Sequence, residues 1–192
     1  MADDPLSAEP MDAMLTAHAA LWKQYCRLQD VVVRTVPRSE LCRRFMAIPG
    51  VGPVTALSFV TAIDDPLRFR RSRDVAADFG LTSRRWQSGS TIDVQGRISK
   101  AGDADVRRAL YEAASGLMTR FKGADKVKSW GQAIAKRSCH RKACVAVARK
   151  LAVIMHALWS DGTFYVGDPA ASQANADRRA HDKARKLLGA HR

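Results

Sequence analysis

"IPGVGPVTALSFVTAI", Ile48–Ile63, is the stretch on which the reading of the chain turns. Gly50 and Gly52 flank Val51, and an apolar run opens at Pro53. Proline holds φ near the helical value and has no N–H to lose in a first turn, so a helix beginning at Pro53 is predicted. Ser39 ahead of Glu40–Met46 predicts a shorter helix before it, capped by the serine hydroxyl. Two short helices around Pro-Gly-Val-Gly form the helix-hairpin-helix pattern. Its glycines let successive N–H groups and the positive end of the second helix face outward, a seat for phosphate that reads no bases. Gly50, Val51 and Gly52 are candidate DNA contacts on this reading, and Thr55 adds a hydroxyl. A tight turn between packed helices is the plainer alternative. The phosphate-seat reading expects Gly50→Val and Gly52→Val to weaken duplex binding without unfolding the core.

Working outward, Met11, Met14, His18, Leu21, Tyr25, Leu28 and Val32 alternate three and four apart. That is an a/d seam, widened by Leu15 and Trp22, on one long helix that Pro37 ends. After the apolar helix, Asp64-Asp65-Pro66 breaks the chain. Residues 72–80 predict another helix, with Ser72 as cap, Val75, Ala76 and Phe79 inward and Gly80 as terminator. Asp103 is expected to cap a helix with Val106, Leu110, Ala113, Ala114, Leu117 and Phe121 on one face. Two more are expected near 125–137 and 140–160, the last burying Ala146, Leu151, Ile154, Met155 and Leu158. The expected organisation is a loose leader at 1–10, a coiled-coil-like helix at 11–36, a helical domain at 39–166 and a mobile basic tail at 167–192. A transient helix near Lys183–Leu188 fits within that tail. The fold class is mainly α, with a short β-hairpin or loop insert.

That insert, "RRWQSGSTIDVQGRISK" (Arg84–Lys100), reads first as a polar loop. Short alternating runs around Gln95-Gly96 suggest a small hairpin turning there. Trp86 and four bases (Arg84, Arg85, Arg97, Lys100) exceed what a spacer needs. A serine that attacks a phosphodiester must be exposed, with cations nearby to neutralise the phosphorane. Ser88 fits that requirement, and Ser90, Thr91 and Ser99 are rival hydroxyls. A solvated loop is the commoner role for such a composition.

A formal charge of +13 points to a polyanionic partner, nucleic acid first. Residues 120–150 concentrate ten bases against Asp125 alone, a stronger signal than the average charge. Cys26, Cys42, Cys139 and Cys144 form no C-x-x-C pair, so reduced thiols are expected rather than zinc. No signal peptide and no apolar run of membrane-spanning length stands out, so a cytoplasmic, membrane-free protein is expected.

The segments "IPGVGPVTA", "RFRRSRDVAADFGLTSRRWQSGS" and "GRISKAGDADVRRALYEAA" resemble, in that order, the C-terminal domain of the insertion-sequence 110/116/902 transposases. The likeness runs from about Met46 to Ala114 and, more weakly, to Trp159. The resemblance implies a transposase or site-specific recombinase in which a serine forms a transient phosphoserine bond with DNA. By motif that serine is Ser88. The family's G-R-I-S-K-x-G maps onto Gly96–Gly102, with Arg97, Lys100 and Gly102 as phosphate contacts and Arg84 and Arg85 flanking the serine. It further implies double-stranded DNA as partner, a structured noncoding RNA in some members, and a homo-oligomer through residues 11–32. Full-length members begin with a RuvC-like domain that supplies four metal-binding acids. This chain is expected to lack it, so no metal ligand and no cofactor is assigned here. Mg2+ is expected only with a separate RuvC-like domain, and the protein is placed in a bacterial cytoplasm at the nucleoid. Two further readings stay open: a non-catalytic helix-hairpin-helix module, and an interaction protein that pairs through the heptad helix.

Overall fold

This computed structural model describes residues 5–88 and 92–168. In chain order its elements are α1 (Pro5–Thr35), a 3-10 turn (Val36–Arg38), α2 (Glu40–Met46), α3 (Pro53–Ile63), a second 3-10 turn (Pro66–Arg68), α4 (Ser72–Asp78), β1 (Ser83–Ser88), β2 (Ile92–Ile98), α5 (Ala104–Thr119), α6 (Lys126–Arg137) and α7 (His140–Asp161). The mainly helical class predicted from periodicity is what forms.

Local chemistry sets most boundaries. Ser39 caps α2 by accepting from the Cys42 N–H at 3.4 Å. Asp103 caps α5 through Asp105 and Val106, and Asp125 caps α6 through Val127 and Lys128. Helix α4 ends in a Schellman pair: Gly80 (φ +66°) donates to the Ala77 carbonyl and Leu81 to that of Ala76. The predicted cap Ser72 is instead the first helical residue, with Arg71 at the cap position. The Ser72 hydroxyl lies 3.0 Å from Nδ1 of the buried His156, whose Nε2 meets the Pro66 carbonyl at 3.0 Å. A long-range partner outcompetes the local cap.

Helix α7 is the spine, packed against α4, α5 and α6. Its fully buried stripe is Cys144, Val147, Ala148, Leu151, Ala152 and Met155, a 3–4 spacing. The expected face was turned slightly: Leu151, Met155 and Leu158 are buried, whereas Ala146 and Ile154 are only half-buried. Contrary to the expectation of no membrane-length apolar run, α7 is long and apolar enough to cross a bilayer. Half of its apolar window is covered by the other helices, as a core helix requires. Phe45, Phe59 and Phe79 meet edge to face at centroid distances of 5.4 and 5.7 Å, joining α2, α3 and the end of α4. After α7, residues 163–168 return to α6. Tyr165 donates its hydroxyl to Asp125 Oδ2 at 2.6 Å, and the Lys126 N–H donates to the Gly167 carbonyl at 2.9 Å. The Tyr165 phenol is pushed well up by burial and by the carboxylate beside it. That strap occupies the start of the expected tail; residues 169–192, including Lys183–Leu188, lie outside the described residues.

Two predicted boundaries move. Helix α1 begins at Pro5, so residues 5–10 of the expected leader are helical. Proline suits a first helical position, as at Pro5; Pro10 lies inside the helix, where it removes the bond back to the Leu6 carbonyl and its ring crowds that carbonyl. The hairpin does not turn at Gln95-Gly96. Gln95 pairs with Arg85 inside β2, Ser88 pairs with Ile92, and the connection is 89–91, which lies outside the described residues. The register shifts between Ser83 and Arg85, where β2 carries one more residue than β1, a bulge at Gly96-Arg97.

Candidate nucleic-acid interface

Two regions carry the predicted contacts, and they are built differently. The first is the turn between α2 and α3. Val51 donates to the Ile48 carbonyl at 3.0 Å across Pro49-Gly50, with Gly50 at φ +90°. Proline followed by a residue of positive φ is the signature of a type II turn. A Cβ on Gly50 would sit 2.3 Å from the Ala113 carbonyl oxygen and 2.9 Å from the Leu117 nitrogen, both on α5. Ile48 and Val51 are buried, and the Thr55 hydroxyl donates inward to the Ala109 carbonyl at 3.5 Å. So Gly50 and Thr55 face α5, and Val51 is buried. Gly52 has extended backbone and nothing within 4 Å of where its Cβ would be. Of the four, Gly52 and the first-turn N–H groups of α3 form the outward edge. The expectation that Gly50→Val spares the core is therefore corrected: the new side chain would collide with the α5 backbone.

The second region is the hairpin. Its base is fastened by backbone bonds, Ser99 N–H to Thr82 O at 2.8 Å and Lys100 N–H to Gly80 O at 3.1 Å. Arg107 Nη1 adds bonds to the carbonyls of Phe79 (3.1 Å) and Ala101 (3.3 Å). The two chain segments cross so closely that a Cβ on Gly102 (φ +79°) would lie 1.9 Å from the Asp78 carbonyl oxygen. That crossing is what requires glycine at 102. It also holds Lys100 at φ +55°, a conformation rare for a side-chain-bearing residue.

Above this crossing Arg84, Arg97 and Lys100 line one open recess of about 460 Å³ with Ser99. Arg84 Nη2 is held by the Ser99 carbonyl at 2.9 Å, and Arg97 stands exposed. Three of the four predicted basic contacts thus converge, while Arg85 does not line the recess. Ser88 closes β1, five residues from Ser83, or about 17 Å along a strand. Its backbone pairs with Ile92, while its side chain and the rivals Ser90 and Thr91 lie outside the described residues. Ser99 is at the base, its Oγ accepting from the Ala101 N–H at 3.4 Å.

Sequence reasoning missed individual bases on α7. Arg141 and Lys142 face Arg97 and Lys100 across an adjoining cavity of about 830 Å³. The basic block at 120–150 signalled them, but no periodicity tied them to the hairpin. Among the described residues no three of His, Cys, Asp and Glu stand together as metal ligands. Cys144 Sγ lies 3.3 Å from His140 Nε2, and burial pushes its thiol pKa up. That is the behaviour of an inert thiol rather than a nucleophile.

A family model described as the Transposase IS116/IS110/IS902 family matches residues 42–132, from α2 through the middle of α6. Residues 42–132 are a domain of that transposase family. The transposase for insertion sequence element IS1111A of Coxiella burnetii is 40% identical over 121 residues, 62% of this chain and 33% of its own length. The transposase for IS1328 of Yersinia enterocolitica is 32% identical, across 66% of this chain and 38% of its own. A protein named pilin gene-inverting protein in Moraxella bovis is 32% identical, across 58% and 34%. This chain spans only about a third to two fifths of the length of these relatives. The transposase-family segment contains both regions described above, the turn and the whole hairpin.

Proposed function

We propose that this chain is the DNA-engaging part of a transposase or site-specific recombinase. In this reading it acts on double-stranded DNA and joins to it transiently through Ser88. The observation that carries the reading is the convergence of Arg84, Arg97 and Lys100 at the base of the hairpin whose far end holds Ser88. Cations so placed hold a neighbouring backbone phosphate and position the strand along β1, rather than touching the phosphorus that Ser88 attacks. The Ser88 oxygen attacks phosphorus, a P–O bond forms, and a bond to one sugar oxygen breaks. The serine proton goes to solvent, the departing sugar oxygen takes one up, and rejoining is the reverse. The relative's name, pilin gene-inverting protein, supports strand exchange as the outcome. Gly52 and the N-terminus of α3 add a sequence-neutral phosphate contact, the helix-hairpin-helix role. A cytoplasmic, nucleoid-bound location follows from the same reading.

The test is a nicked suicide duplex incubated with the full chain, alone and with a RuvC-like domain and Mg2+. A covalent protein–DNA adduct is expected, absent in Ser88→Ala. An adduct that survives Ser88→Ala, or that maps to Ser99, overturns the assignment.

A second reading concerns α1. Met14 is 71% exposed and Leu21 73%, on a helix of 31 residues whose contacts are with the first 3-10 turn and α3. A heptad seam of this kind is satisfied by a second copy of itself. Sedimentation of the full chain is expected to give a dimer, and of a chain beginning at Ser39 a monomer. A monomeric full chain at micromolar concentration sinks this reading.

A further inference from the structure

The cavity between the hairpin and α7 continues past the bases already described. Ser83, Ile98, Lys142 and Val145 line both it and a second recess of about 460 Å³ that ends at Trp130 of α6. The two form one groove. Its rim carries six cations: Arg97, Lys100, Arg141, Lys142, Arg149 and Lys150. None of the six has an acidic partner among the described residues. Its lining is otherwise largely apolar, with Ile98, Val145 and Val153 among the residues that form it. Trp130 is 38% exposed, and Lys150 Nζ stands 4.4 Å from the centre of its indole ring.

A duplex presents phosphates outward and keeps its bases stacked inside, so it has no use for an apolar trough with an aromatic end. An unpaired strand has both needs: cations along its backbone and flat apolar surface for its bases. Lys150 Nζ lies over one face of the Trp130 indole, so a base that takes that face displaces the ammonium, which stays near enough to meet the same nucleotide's phosphate.

We infer that the groove between β2, α6 and α7 holds an unpaired nucleic-acid strand, with a base stacked on Trp130 and phosphates met by Arg141, Lys142 and Lys150. This rests on the DNA-engaging reading above and extends it. The groove starts at the hairpin base, about 17 Å along β1 from Ser88. The strand is either DNA freed from a melted duplex or RNA; the chemistry of recognition is shared, and competition between the two tells them apart.

The experiment uses the full chain with a fluorescent 12-nucleotide DNA strand, the same sequence as RNA, and the corresponding duplex. Each is titrated by anisotropy against the wild type, Trp130→Ala, Trp130→Phe and Arg141→Ala/Lys142→Ala. Circular dichroism confirms that every variant is folded. Trp130→Ala is expected to weaken single-strand binding roughly five- to a hundredfold. It should leave duplex affinity unchanged, and Trp130→Phe should restore most of the loss. Arg141→Ala/Lys142→Ala should lower the salt slope for the single strand by about 1.4, at roughly 0.7 per phosphate. Preference for the DNA or the RNA strand identifies the source. Equal loss on duplex and single strand, or no loss on either, overturns the groove assignment while leaving duplex binding and the Ser88 adduct intact. Absent duplex binding with intact single-strand binding would instead overturn the function proposed above.

Discussion

The Gly50–Gly52 turn and the Arg84–Lys100 hairpin carry the same expectation, contact with phosphate, and are made in opposite ways. The turn is part of the core: Ile48 and Val51 are buried, and Gly50 touches the α5 backbone. The hairpin is a two-stranded sheet fastened at its base by backbone bonds and by Arg107. In the turn, a glycine that looks functional by motif is required by close approach. In the hairpin, a stretch with no apolar pattern gathers the cations. Motif strength and surface availability are separate properties.

The sharpest way to break this comparison is to add a side chain to each glycine of the turn. Gly50→Val combines a left-handed backbone with a collision against α5. It is expected to cost about 3–5 kcal/mol in urea unfolding. Gly52→Val is expected to cost under about 1 kcal/mol, because nothing lies within 4 Å. It should nevertheless weaken duplex binding, by covering the N–H groups at the start of α3. Equal destabilisation by the two would mean that the turn is not divided between a core-facing and an outward glycine.

An effect of middling size tests the strap that anchors α6, the helix that brings Trp130 to the hairpin side. The neutral Tyr165 phenol donates to the Asp125 carboxylate, and its folded pKa is raised. A raised value means the stabilisation is complete below the free phenol's value of about 10 and is lost as pH climbs above it. Tyr165→Phe should cost about 1–2 kcal/mol at pH 7, within the range for bonds to charged groups and reduced for partial exposure. It should also flatten the fall in stability above pH 10. A mutant whose alkaline decline matches the wild type's would show that the phenol–carboxylate bond contributes nothing.

How far the sequence revealed this follows the same divide. Caps with a short reach were legible: Ser39 and Asp103 each bond an N–H two or three residues on. Ser72 was misread because its partner, His156, is 84 positions away, beyond any local rule. The hairpin turn was misplaced because β1, Ser-Arg-Arg-Trp-Gln-Ser, has no alternation of apolar and polar residues. Its pairing with β2 is a backbone matter, and the Gly96 bulge imitates a turn signal. Arg97 and Lys100 stood out as an excess of bases in the insert, and the family resemblance gave them the role of phosphate contacts. Arg141, Lys142 and Trp130 were not, because only the fold lays α6 and α7 beside β2.

The smallest change in stability belongs to the hairpin's own cations, and there the comparison is most informative. Lys100 sits at φ +55°, where glycine carries no steric penalty, so Lys100→Gly removes the charge without removing the conformation. Arg97 is exposed and makes no ion pair among the described residues. Together Arg97→Ala and Lys100→Gly should leave the unfolding free energy within about 1 kcal/mol of wild type. If each meets one duplex phosphate, the slope of log affinity against log salt should shallow by about 1.8, at 0.9 per contact. A slope that does not move would take duplex phosphate away from the recess and leave it to Gly52 and the α3 N-terminus. A slope that shallows while Gly52→Val has no effect would assign the phosphate contact to the hairpin alone, and leave the turn as a piece of the core.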